Sequence, residues 1–153
     1  MSASERAVDL PSGFGLVLAF YYRDPAYALG LATLSAYAKR AIPGVRVHLA
    51  PISQHDDAAT VAARVRELAP DLIGISAMSP TWLPLDPHLR AMKSLLPDVP
   101  ILVGGYQAIV SADETIAHPA VDHVCVGDGE EPIVGLIRRL RGESDADAPI
   151  PGL

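Results

Sequence analysis

The stretch "ILVGGYQA", residues 101–108, is an apolar run that stops at two glycines. A strand that only has to pack can end on almost any residue. Gly104 and Gly105 therefore raise the question of what comes close enough to require no side chain. Glycine takes positive φ without strain and lets another group lie directly on the backbone. A tight strand-to-helix turn and a ligand contact both satisfy that pattern. Four more short runs flank this one: "FGLVLAF" (14–20), "VRVHLAP" (45–51), "DLIGISA" (71–77) and "DHVCVG" (122–127). Near-continuous apolar runs of this length suit parallel strands covered on both faces.

Helical periodicity fills the gaps between the runs. In "DPAYALGLATLSAYAKRA" the expected buried stripe is Ala26, Leu29, Gly30, Thr33, Tyr37 and Ala41. The next two stripes are Ala58, Val61, Ala62, Val65, Leu68 and Ala69, then Leu85, Leu89, Met92, Leu95 and Leu96. Each follows the spacing of one helix face. Pro43-Gly44, Pro70 and Pro97 stop these helices. Ser111 with Glu114 predicts a capping box for a short fourth helix ending before Pro119. A last helix carries Ile133, Leu136, Ile137 and Leu140. The β-α alternation predicts a three-layer α/β fold with an open, doubly wound, five-stranded parallel sheet. Its expected order is the flavodoxin-like, Rossmann-like 2-1-3-4-5. Residues 1–12 read as a tail, 13–141 as the domain, and the acidic, Pro-bearing 142–153 as a linker.

Composition narrows the function. The chain has 153 residues, half of them hydrophobic, and a net charge of −6. That is enough for one core, and it offers no basic surface for nucleic acid. A single cysteine, Cys125, excludes an internal disulfide and a Cys-ligated cluster within these residues. No apolar stretch is long enough for a membrane helix, so a soluble cytoplasmic protein is expected. The five histidines (His48, His55, His88, His118 and His123) stand singly, without metal-ligand spacing.

In such a sheet ligands bind beyond the carboxyl ends of the strands. That selects "YYRDPAY" (21–27), "SAMSPTWLPLD" (76–86), "GGYQAIVSAD" (104–113) and "GDGEEP" (127–132). Ser76 either caps a helix or bonds a ligand heteroatom. "SPTWLPLD" reads as a long loop, and Trp82 in it either covers a flat ligand or closes the core edge. "GDGEE" lacks the Gly-Lys-Ser/Thr of a phosphate loop, and no G-x-G-x-x-G follows the first strand. A phosphorylated receiver domain requires an aspartate where Ser76 stands.

Taken together, "DPAYALGLATLSAYAKR", "DLIGISAMS" and "VPILVGGYQAIVSADETIAHPAVDHVCVGDGEEPIVGLIRRLRG", with the final "IPGL", resemble a known family. It is the cobalamin (vitamin B12) binding domain that precedes the barrel of B12-dependent radical S-adenosylmethionine enzymes. The likeness runs from about residue 14 to 153 and is most specific from Ile101 to Glu131. It implies cobalamin, as methylcobalamin or hydroxocobalamin, as the cofactor. The implied contacts are Tyr21, Tyr22 and Asp24 after the first strand, and Ser76, Ala77, Met78, Ser79, Thr81 and Trp82 after the third. Gly104, Gly105, Tyr106 and Gln107 follow the fourth strand, and Gly127, Asp128, Gly129 and Glu130 the fifth. Ser76 would bond tail or corrin amide groups, and the glycine pair would let the nucleotide tail lie on bare backbone. Many B12 carriers also have D-x-H-x-x-G after the first strand, with the histidine ligating cobalt. Here the frame is Asp24-Pro25-Ala26-Tyr27-Ala28-Leu29, so Ala26 stands at the histidine position. Base-off cobalamin without a histidine ligand is the expectation.

The resemblance further implies a radical S-adenosylmethionine barrel, with its S-adenosylmethionine and 4Fe-4S cluster, in cis or in trans. These residues lack the C-x-x-x-C-x-x-C motif, so catalysis by them alone is not expected, and a methyltransferase is the implied whole enzyme. A flavodoxin-like regulatory or interaction domain without cobalamin is the alternative.

Overall fold

The computed structural model describes residues 13–22 and 29–153. Asp24 and most of the 24–29 frame lie outside them. In chain order the elements are β1 (Gly15–Tyr22), α1 (Leu29–Ala41), β2 (Arg46–Ser53), α2 (Ala58–Glu67), β3 (Leu72–Ser76) and α3 (Ser79–Leu95), then β4 (Ile101–Gly104), α4 (Tyr106–Val110), α5 (Ala112–Ile116), β5 (His123–Val124) and α6 (Glu130–Leu140). The five strands are all parallel, in the order β2-β1-β3-β4-β5. The expected fold class and strand order are therefore observed.

Strand alternation divides the core. Val17, Ala19, Ile73, Ile75, Ile101 and Val103 face α2 and α3, with Leu85, Leu89 and Met92. Leu16, Leu18, Leu72 and Leu102 face α1 and α6, with Leu31, Ile133, Leu136 and Ile137. Two aspartates pin strand starts to their neighbours. The Gly15 N–H donates to Asp71 Oδ2 at 2.7 Å, and the Ile101 N–H to Asp122 Oδ2 at 2.7 Å. Pro51, which lacks a ladder donor, sits on β2, an edge strand.

Five local expectations change. The stripe on α1 is rotated by about one residue: Leu31 and Ala38 are buried with Leu34 packed beside them, while Leu29 is 73% exposed. Tyr37 is only partly buried against that core, and its hydroxyl donates to Glu131 on α6. "SPTWLPLD" is helical rather than a loop. Pro80 falls in the first turn of α3, where its missing N–H costs nothing, and Thr81 Oγ1 accepts from the Met78 N–H at 3.3 Å. Pro84 and Pro87 sit within the helix, and each leaves one helical carbonyl without its donor.

The Ser111 capping box does not form, since the Ser111 side chain makes no capping bond. Instead its carbonyl accepts from Thr115 Oγ1 at 2.7 Å. Residues 106–110, expected as loop, form α4. Finally, the segment expected as a linker folds back on the domain. Val126 N–H donates to the Gly152 carbonyl at 2.8 Å, and Ile150 and Leu153 pack against the core on the α6 side.

One histidine ties this packing to pH. His88, on α3, is buried beside Tyr21 with ring centroids 6.0 Å apart, and its Nδ1 has no partner among the described residues. Burial holds the imidazole below the ordinary histidine range; Asp56 and Asp57 oppose that shift and Arg64 adds to it. Half-buried His123 shifts the same way, also through burial. The unfolded chain takes up these protons near pH about 6.5, so stability is complete above that value and declines as pH falls toward the folded-state values. The urea midpoint is therefore expected to drop between about pH 7.5 and about pH 5.5. His88→Phe should flatten that drop, and an unchanged slope refutes the assignment to His88.

Candidate functional site

At the carboxyl end of the sheet, on the α1/α6 face, lies a cavity of about 210 Å³. Strand alternation and register build it. Leu18, Gly74 and Leu102 align across β1, β3 and β4, and the next row up is Phe20, Ser76 and Gly104. Because side chains alternate, Gly74 and Ser76 share a face, and so do Leu102 and Gly104. Leu31 and Leu34 from α1 and Ile133 from α6 close the sides, Cys125 closes one end, and Gly30 with Gly127, Asp128, Gly129 and Glu130 forms the rim.

The glycine pair at the end of β4 has two different physical explanations. Gly105 has φ 86° and ψ −168°, a backbone region that only glycine occupies without strain. A Cβ there would lie 2.7 Å from the Ala77 carbonyl oxygen. At Gly105 the chain itself already requires the missing side chain. A Cβ on Gly104 would meet only Cys125, at ordinary distances of 3.7 and 3.8 Å. On Gly30 it would meet nothing within 4 Å among the described residues. Neither position has positive φ. Both border the cavity, and no contact with a described residue explains the missing side chain.

Glycine in a helix costs about 0.5–1 kcal/mol relative to alanine. Gly30→Ala is thus expected to raise the thermal midpoint of the free chain by about 1–4 °C while weakening any ligand seated in the cavity. Equal affinity in wild type and Gly30→Ala would remove Gly30 from the site.

Of the expected residues, the structure gathers Ser76, Gly104, Gly105, Gly127, Asp128, Gly129 and Glu130 around this cavity. The other described ones are not among its lining residues. Trp82 is buried in the α2/α3-side core, edge-on to His118 at 5.5 Å. Ala77 belongs to the same core, and Tyr21 packs against it. Gln107 is buried, whereas Met78 and Tyr106 are exposed at the top of the sheet. Ser79 and Thr81 open α3, and Tyr22 ends β1 with its ring 6.0 Å from Phe20. Sequence reasoning missed Leu18, Gly30, Leu31, Leu34, Gly74, Ile75, Leu102, Cys125 and Ile133 as lining residues. A step of two back from Ser76 and Gly104 gives Gly74 and Leu102, and glycine inside a strand is itself a signal of close approach.

Cys125 Sγ points to the Asp128 carbonyl at 3.7 Å, and burial pushes its thiol pKa up, with Glu130 and Asp128 adding to the shift. It is a packed wall rather than a nucleophile. His118 belongs to a separate clip. Its Nδ1 accepts from the Ala120 N–H at 3.1 Å, which leaves Nε2–H to donate to Asp86 Oδ1 at 2.8 Å. No histidine borders the cavity, and no cluster of three or more potential metal ligands occurs among the described residues. Nor is any described helix long and apolar enough to cross a membrane.

Comparison with known proteins completes the picture. The fold resembles the cobalamin-dependent S-adenosylmethionine radical enzyme OxsB with aqua-cobalamin and S-adenosylmethionine bound: TM-score 0.73, 22% identity, 91% of this chain and 20% of that one. It also resembles the radical S-adenosylmethionine methyltransferase TsrM from Kitasatospora setae, with TM-score 0.71 and 18% identity over 90% of this chain and 28% of that one. The anaerobic magnesium-protoporphyrin IX monomethyl ester cyclase of Cereibacter sphaeroides is 25% identical over 88 residues, 57% of this chain. The match spans only 14% of the cyclase. The profile of the B12 binding domain matches residues 15–137, from the start of β1 to the last turn of α6, and this chain belongs to that family.

Proposed function

We propose that this chain holds cobalamin in the base-off state, without a histidine ligand from the chain, and presents it to a B12-dependent radical S-adenosylmethionine barrel in cis or in trans. A methyltransferase is the whole enzyme this reading favours. The observation that carries it is the cavity whose bounding glycines, Gly30 and Gly104, lack side chains although a Cβ at either would meet no obstacle among the described residues. The donor set suits the nucleotide tail. Leu18, Leu31, Leu102 and Ile133 offer an apolar slot for a flat base. Above them, the Ser76 hydroxyl can donate to or accept from tail groups, and the Asp128 and Glu130 carboxylates can accept from ribose hydroxyls.

When bound, the cofactor supplies a cobalt centre able to take up and release a methyl group. The residues of this chain bind, orient and exclude water. A tail held in the cavity would leave its base away from cobalt, and no lining residue is a histidine that would replace it. Met78 and Tyr106 are exposed at the top of the sheet, and in this reading they would hold the lower side of the corrin.

Hydroxocobalamin mixed with the purified chain and then desalted is expected to co-elute, with a base-off visible spectrum. A colourless protein fraction at saturating cobalamin rejects the proposal. In the cobalt(II) form, electron paramagnetic resonance should show no nitrogen splitting, and a clear nitrogen signal rejects the base-off assignment.

A further inference from the structure

We infer that the cavity selects among cobamides by the chemistry of their tails, taking an apolar benzimidazole base in preference to a purine. This rests on the proposal that the cavity receives a cobamide tail. The polar groups are unevenly distributed. Asp128 and Gly127 are exposed at the rim, Glu130 is half-buried, and Ser76 is half-buried at the carboxyl end of β3. Below them, Leu18, Leu31, Leu102, Cys125 and Ile133 are all buried.

Among the described residues, the floor offers a base edge no free hydrogen-bonding group. Its only side-chain heteroatom is Cys125 Sγ, already directed at the Asp128 carbonyl. The strands beneath it pair in register, Leu18 with Gly74 and Gly74 with Leu102, so their amides serve the sheet. Among the described residues, the buried side-chain atoms without partners are Arg46 Nε, His88 Nδ1 and Arg139 Nε, and none of these residues borders the cavity.

Size agrees with this chemistry. An apolar cavity of about 150 Å³ accepts benzene, and 210 Å³ leaves room for a fused second ring. The carbocyclic ring of a benzimidazole, with or without methyl groups, asks nothing of this floor. An adenine would bring an exocyclic amine and two further ring nitrogens into it without partners, and buried polar groups left unpaired lose their hydration uncompensated. An apolar pocket of this kind discriminates by about 10- to 100-fold rather than absolutely.

The test is equilibrium dialysis of the full chain against three probes, read by corrin absorbance: a benzimidazolyl cobamide, an adeninyl cobamide, and cobinamide, which has the corrin but no nucleotide tail. The expected order is benzimidazolyl first, adeninyl at least about tenfold weaker, and cobinamide weaker than the benzimidazolyl form. Equal affinity for the two complete cobamides overturns the inference and leaves the cobalamin reading standing. Cobinamide binding as tightly as the benzimidazolyl form overturns it differently, because the tail would then contribute nothing. If no probe binds, the inference and the reading beneath it both fail.

Discussion

Gly104→Leu is expected to abolish retention of cobalamin while leaving the domain folded. The Leu Cβ finds ordinary contacts with Cys125 at 3.7 and 3.8 Å, and the rest of the side chain enters the 210 Å³ cavity. There it meets Leu102, Leu18 and Ile133, so the free chain gains apolar contact instead of strain. Its urea midpoint should stay level or rise. Any ligand in the cavity must now share that space, and overpacking of this kind costs about 1–3 kcal/mol, which is about 5- to 150-fold in affinity. Dialysis against cobalamin and urea denaturation, run on one preparation, separate the two effects. Unchanged affinity in a folded Gly104→Leu chain would mean that the tail lies elsewhere.

The neighbouring substitution should behave in the opposite way. Gly105→Ala is expected to cost stability whether or not cobalamin is present. Its φ of 86° with ψ of −168° is disfavoured for any L side chain, by about 1–3 kcal/mol. The new Cβ would also sit 2.7 Å from the Ala77 carbonyl oxygen and 3.1 Å from Ser76 Oγ. Two backbone hydrogen bonds hold that junction, Ala77 N–H to the Gly104 carbonyl and Gln107 N–H to the Ala77 carbonyl, each at 3.0 Å. Relieving the clash pulls on both. A loss of about 3 kcal/mol corresponds to a fall of about 6–12 °C in the thermal midpoint for a domain of this size. A fall of less than about 2 °C would show that the junction relaxes freely. The contrast between these variants is the sharpest statement the site permits, because the two residues are adjacent and chemically identical.

Much of this was legible in the sequence, for reasons that can be located. Apolar runs bounded by prolines and glycines mark the strands and helix ends, since both faces of a parallel sheet are buried. The loops at the carboxyl ends follow from the strand order, and they contain Ser76, Gly104 and Gly127. What could not be read was rotation and depth. On α1 two adjacent apolar stripes compete, and only contact with α6 decides that Leu31, rather than Leu29, turns inward. Trp82 looked like a loop residue because three prolines surround it, yet Pro80 starts the helix and the indole becomes core. The Ser111–Glu114 spacing matched a cap that the backbone at Ser111, with φ −141° and ψ 55°, does not make. The two glycines of β4 could not be told apart because spacing carries no information about a Cβ that is missing.

The cavity also has a consequence for how long the protein lasts. A void floored by Leu18, Leu102 and Ile133 forgoes the contacts that would otherwise fill it, so the empty domain opens more often. A tail seated there would reverse this by mass action: at a free concentration 100-fold above Kd the folded state gains about 2.7 kcal/mol, and the open population falls about 100-fold. Proteases act on that open population. Pulse proteolysis with and without cobalamin should show the loaded chain surviving far longer, so that in the cell the amount of this protein would follow the supply of its vitamin.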